Sequence, residues 1–300
     1  MKMKKILLAL ALCLPLSLNA QEAQNAALPF TRIDRNPRTS AFAGAGLASM
    51  QASAWSAFAD AAQLSFLEGL GDAALGVQLW EMSNEVDKTT NFAGGAAFRF
   101  GDFGVGIAGA YDTGVPFAGY TPNDLQISLG LSYNIMDIVS VGINARYAAQ
   151  AFAANAKVSG FSADINAIGR LPYGLTLALS IGNLGPKVQG SEASYGQPAY
   201  AKLGVAWNAE FAEQHNLELL LDGEYNFGNT AAAAFGVEYN FRRIVYARAG
   251  YRLAGEKTLI PSHLGLGFGV RYAGFRADVS YLTASKILGN TLNIGLGYSF

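Results

Sequence analysis

Half of this 300-residue chain (51%) is hydrophobic and only 14% is charged, yet beyond the first twenty residues nothing approaches the ~20 consecutive apolar residues of a membrane-spanning helix. The apolar residues are spread by alternation instead. Leu292, Ile294, Leu296, Tyr298 and Phe300 interleave with Asn293, Gly295, Gly297 and Ser299. Successive strand side chains point to opposite faces, so such a segment is apolar on one side and small or polar on the other. A bilayer offers the backbone no hydrogen-bonding partners, and an alternating chain crosses it only as a closed barrel.

Lys2, Lys4 and Lys5 precede an apolar run over residues 6–18, and Leu18-Asn19-Ala20 has the small-residue character of a cleavage site. Residues 1–20 therefore read as a secretory signal peptide. The single cysteine, Cys13, falls inside it, which leaves the mature chain without a disulfide or a thiolate metal site. A net charge of −1, with no basic cluster after the leader, excludes a nucleic-acid partner.

From residue 71 onward the alternation resolves into fourteen spans of about the 9–11 residues that a tilted spanning strand requires. They are expected over residues 73–82, 92–100, 103–111, 125–133, 139–147, 161–171, 175–183, 199–208, 217–225, 235–241, 245–252, 264–272, 275–282 and 292–300. Tight turns at Gly101-Asp102, near Asp137, at Pro172-Tyr173-Gly174, Arg242-Arg243 and Ala273-Gly274 alternate with longer links over 83–90, 112–123, 150–160, 185–198 and 254–262. The alternation matches periplasmic turns and extracellular loops and places both termini in the periplasm. The link over 209–214 is long for a periplasmic turn. Aromatics near the span ends, among them Tyr111, Tyr133, Trp207, Tyr272 and Tyr298, form an expected interfacial girdle.

Arg146, Glu218, Asp222, Glu224, Arg248 and Arg271 fall on the inward parity, because a cation facing lipid near the midplane costs about 2–4 kcal/mol. Their mixed signs point to internal ion pairs rather than an ion-selective ring. Residues 32–66 lack sustained alternation but carry Phe42, Trp55, Phe58, Leu64 and Phe66, so they are expected to fill the lumen as a plug. The domain layout is signal peptide 1–20, plug segment 21–70 and transmembrane barrel 71–300.

The alternating last strand with its terminal aromatic resembles the closing strand of bacterial outer-membrane barrels. Asn36-Pro37-Arg38, Ala43-Gly44-Ala45-Gly46-Leu47-Ala48 and Ala54-Trp55-Ser56-Ala57-Phe58 resemble the amino-terminal hatch of FadL-type outer-membrane transporters and their PorV/PorQ relatives. The resemblance implies a 14-stranded antiparallel barrel with an N-terminal plug, in contact with outer-membrane lipid, and Arg38, Trp55 and Phe58 as ligand or hatch contacts. One departure stands out: the family's Asn-Pro-Ala step is Asp60-Ala61-Ala62 here, which removes a fixed φ angle.

Two functions follow from the resemblance. One is passive uptake of a hydrophobic or amphipathic small molecule, with Gly94 and Gly95 as a place where a strand could kink. The other is a PorV/PorQ-like accessory role in type IX secretion, acting through secretion-system proteins. An enzyme is not expected: the only histidines, His215 and His263, fall at opposite membrane faces. No catalytic residue, metal ligand set or cofactor motif is found.

Overall fold

The computed structural model describes residues 26–81, 89–116, 119–190, 193–283 and 290–300. The expected signal peptide and most of the link over 83–90 lie outside them. The strands are β1 (Gly71–Glu81), β2 (Thr89–Phe100), β3 (Phe103–Thr113), β4 (Asn123–Ile135), β5 (Val139–Ala153), β6 (Ala156–Arg170) and β7 (Leu175–Leu184). A small hairpin of β8 (Val188–Gln189) and β9 (Ser194–Tyr195) follows. The chain continues through β10 (Tyr200–Phe211), β11 (His215–Asn226), β12 (Thr230–Phe241), β13 (Val245–Ala254), β14 (His263–Tyr272), β15 (Phe275–Thr283) and β16 (Asn290–Ser299). All but the hairpin strands form one closed antiparallel ring, sealed where β1 pairs with β16 from Asp72–Ser299 to Glu81–Asn290. Closure leaves no unpaired edge, as a bilayer demands.

Parity sorts the two faces. Along β4, Leu125, Ile127, Leu129, Leu131 and Tyr133 are exposed, whereas Gln126, Ser128, Ser132 and Asn134 are buried in the lumen. At mid-strand the contrast is largest: Leu129 is 52% exposed and Ser128 0%. Replacing Leu129 by Arg is expected to destabilise the barrel by about 2–4 kcal/mol, against little change for Leu129→Ile, in urea unfolding from lipid vesicles. Aromatics cluster at both rims, for example Tyr298 with Phe275 and Phe300, and Tyr147 with Phe161.

At one mouth of the barrel, the turn mouth, every connection is short; the long links all lie at the other, the loop mouth, together with the short turns after β5 and β11. Two links differ from expectation. Residues 150–160 are not an open loop, because β5 and β6 stay paired, past a bulge after Ala151–Lys157, out to Ala153–Ala156 and turn at residues 154–155. Alanines there carry no alternation to read. The 209–214 link is likewise shorter, since Ala209 to Phe211 pair with Leu217 to His215 and only residues 212–214 turn. Ala212 and Glu213 hold left-handed φ angles of 51° and 55°, which let the chain reverse within three residues.

Residues 27–70 fill the lumen. The chain descends from the loop mouth, reaches the turn mouth near Met50, rises to mid-barrel at Trp55 and Phe58, and descends again to β1. Ala27 N donates to Gly196 O at the loop mouth (2.8 Å), where Leu28 and Phe30 pack against Ala148 and Val188. Phe300 lies at the turn mouth, held by Gly71. The amino terminus itself lies outside the described residues; the first of them, near Ala27, lie at the loop mouth, across the barrel from Phe300. Burial of Leu28 and Phe30 beneath the β8–β9 hairpin draws the start of the plug to the far mouth.

Candidate functional site

Local sequence shapes the plug into short turns. Asn36 Oδ1 accepts from Arg38 N (3.0 Å) and Pro37 occupies the first helical position, so α1 (Pro37–Ala41) starts where it does. Ser53 and Ser56 cap the next turn, Ala54–Ala57, reciprocally. At the Asp60-Ala61-Ala62 step, Ala61 N donates to Asn144 Oδ1 (3.0 Å), and Asn144 Nδ2 donates to Ala57 O (2.8 Å). A proline at 61 has no N–H to give. The departure thus ties the plug to β5 instead of merely loosening a corner.

Arg38 is buried and faces none of the cavities described below; it joins the plug to two strands. Its Nε donates to Glu238 Oε2 (2.9 Å), Nη1 to Ser49 Oγ (2.9 Å), and Nη2 pairs with Glu218. Gln51 Nε2 also donates to Glu238 (2.6 Å). From Glu238 the network continues through Arg248 (2.6 Å) to Asp278 (2.6 Å), then Arg276 (3.6 Å) and Asp72 (2.9 Å). Asp72 accepts from Ala54 N (2.7 Å), which returns the chain of charges to the plug. Between Arg248 and Asp278 lies β14, where a Cβ at Gly269 would come within 2.7 Å of Arg248 Nη1. Only glycine leaves room for the ions to meet.

The other charges also face inward. Arg146 pairs with Asp164 (2.6 Å) and donates to Phe58 O (2.7 Å). Asp222 accepts from Gly46 N (2.8 Å) and Leu47 N (3.1 Å) and pairs with Lys202 (3.0 Å). Glu224 holds both Arg32 (2.7 Å) and Arg252 (2.9 Å). Arg271 makes no ion pair among the described residues; its guanidinium lies 4.7 Å from the centre of the Tyr246 ring. Trp55 and Phe58 are buried and stacked, with ring centroids 6.1 Å apart. A Cβ at Gly76 would fall 3.0 Å from the Trp55 ring, so the barrel wall is hollowed to receive it. At Gly94 and Gly95 the ladders to β1 and β3 run on without a register shift, so the wall does not open there. Shifts occur instead at Ala151/Ala153 and between Ala163 and Ile165 on β6.

Three cavities among the described residues bear on the site. A chamber of about 590 Å³ opens at the loop mouth, walled by Phe30, Ile33, Leu259, Ile260 and Leu282 with Trp80. Beneath it a polar pocket of about 140 Å³ reaches Trp55, Phe58 and Asp60. Burial raises the Asp60 carboxyl to about 7 against the opposing pull of Lys202. A cup of about 740 Å³ at the turn mouth is floored by Met50, Gln51 and Ala52 and includes Arg271. The layer carrying Arg38 and Ser49 lies between this cup and the upper cavities. The chamber residues come from plug, loop and four or more strands, and sequence reading did not assemble them. Parity alone marks Gln78 as an inward amide on β1, and that was the available signal. His215 contacts Tyr239 Oη (2.6 Å) at the turn mouth, and His263 contacts Pro261 O (2.9 Å) at the loop mouth, too far apart to act together.

These features define a closed 14-stranded membrane β-barrel occluded by its own N-terminal segment. In structure the chain is similar to the Pseudomonas putida toluene transporter TodX, with a TM-score of 0.64 and 11% identity over 87% of this chain and 96% of that one. It is also similar to the CymD monoaromatic hydrocarbon channel (TM-score 0.65, 12% identity, 88% and 97% covered). A Pseudomonas aeruginosa FadL homologue gives 0.57 at 11% identity, over 88% and 98%. No family model matches the sequence, and a search of curated proteins gives no relative. The shared property is the fold.

Proposed function

We propose that this protein is an outer-membrane channel for passive uptake of hydrophobic or amphipathic small molecules. The observation that carries the reading is the apolar chamber of about 590 Å³ at the loop mouth, stacked above an occluding plug. Its size falls in the range of small-molecule sites, roughly 300–1,000 Å³. In this reading the long links face the exterior, a ligand collects in the chamber, and the plug gates its onward passage. The similarity to proteins described as toluene and monoaromatic hydrocarbon channels supports it. Nothing among the described residues favours the alternative of a PorV/PorQ-like secretion accessory.

Uptake of radiolabelled toluene by a Gram-negative host that lacks its own hydrocarbon channels tests this. Cells expressing the full chain should accumulate label several-fold faster than vector controls. Leu282→Trp, which fills the chamber from β15, should remove most of the gain. A rate equal to the vector control would sink the proposal.

A further inference from the structure

Most of the surface that the chamber exposes is apolar, but one group of polar side chains on its wall is unusual. Gln78 on β1 and Asn91 on β2 are direct cross-strand partners, and Asn293 on β16 flanks Gln78 on its other side. Thr89 lies one inward position further along β2. All four residues are buried, and Gln78 Oε1, Asn91 Nδ2, Thr89 Oγ1 and Asn293 Oδ1 have no hydrogen-bond partner among the described residues. Gln78, Thr89 and Asn91 line the chamber directly. Across the same space Asp34 Oδ1 accepts from Asn36 N (3.0 Å) and Thr39 Oγ1 (2.7 Å), while its Oδ2 has no partner among the described residues. Buried polar atoms are almost always satisfied, and several orphans around one cavity mark groups that a bound molecule would complete.

Charge decides which molecule. Asp34, Asp112 and Asp124 face the chamber, with Asp112 directly opposite Asp124 on the neighbouring strand. The guanidiniums that face it, Arg32 and Arg252, share Glu224, and Arg252 Nε is buried without a partner among the described residues. Arg35 is taken up by Asp112 (2.6 Å). His263 at the rim already meets a backbone carbonyl (2.9 Å). An incoming carboxylate would meet Asp34, Asp112 and Asp124, while the two guanidiniums that face it are already drawn to Glu224; a neutral hydroxyl could instead donate to Gln78 Oε1 or Asp34 Oδ2 and accept from Asn91 Nδ2.

We infer that the chamber selects an uncharged amphiphile, an apolar body bearing a hydroxyl or similar neutral hydrogen-bonding head, over a plain hydrocarbon and over an acid of the same length. The inference rests on the uptake reading and narrows its substrate class.

Octane, 1-octanol and octanoate at pH 8 are matched probes. Their binding to the purified full chain is read from tryptophan fluorescence, since Trp80 lines the chamber, with free concentrations corrected for micelle partitioning. Octanol should bind about tenfold tighter than octane, the yield of one or two completed hydrogen bonds, with octanoate weakest. Gln78→Leu/Asn91→Leu should remove the octanol advantage while octane still binds, which also reports that the double variant is folded. Octanoate equal to or tighter than octanol, or an octanol advantage that survives the double variant, overturns the inference and leaves hydrophobic uptake standing. If none of the three probes binds, the uptake reading itself fails.

Discussion

Replacing Arg38 by Met should release the plug from the barrel wall and turn an occluded barrel into a conducting one. Among the described residues Arg38 is the only cation paired with Glu218, and it shares Glu238 with Arg248. All of these groups are buried. Removing one partner of such a pair leaves an uncompensated charge in a dry site, at a cost of about 3–5 kcal/mol. That is more than a hundredfold in the equilibrium between seated and detached plug. In planar bilayers, Arg38→Met is expected to show stable ion conductance that the wild type lacks, and in vesicles its plug should become sensitive to added protease. Because Glu238 keeps Arg248, the stranded charge is chiefly Glu218. Arg38→Met/Glu218→Gln should therefore recover much of the seal. Wild-type conductance in the single variant would refute the latch.

The second large effect is steric. At Gly265 on β14 a Cβ would lie 2.6 Å from Ser40 O and 2.7 Å from Ala41 O, both backbone atoms of α1 that cannot swing aside. Gly265→Leu must therefore push the helix, and Arg38 with it, away from the wall. Overpacking of this kind costs about 1–3 kcal/mol before the damage to the ion network is added. Gly223 on β11 is the control, since a Cβ there meets nothing within 4 Å. The heat-dependent gel shift of a closed barrel should persist in both variants, while only Gly265→Leu exposes the plug to proteolysis. Equal plug protection in the two variants would show that the close approach of α1 to β14 does not hold the segment in place.

Much of the wall was legible because a strand's message is local. Leu129 and Ser128 declare their faces by being neighbours of opposite character, and a cation such as Arg248 can only sit on the inward side. Fourteen spans follow from that period of two. The message fails where side chains are small, as in the alanines of the β5–β6 hairpin, and where a polar residue such as Glu210 interrupts the alternation without ending the strand. The plug motifs were recognisable, yet the use of Ala61 N by Asn144 was not, because a hydrogen bond between residues 83 positions apart has no local signature.

The sequence by itself determined the closed barrel, its number of spans and which charges had to leave the lipid, since each depends on residues two positions apart and on the cost of facing hydrocarbon. Only the tertiary structure decided which charges meet, where the chamber lies and from which mouth the plug descends. Arg38 and Glu238 are 200 residues apart. Their encounter is fixed by the register of all the strands around the ring together with a glycine cleared at Gly269, and no single segment contains that information.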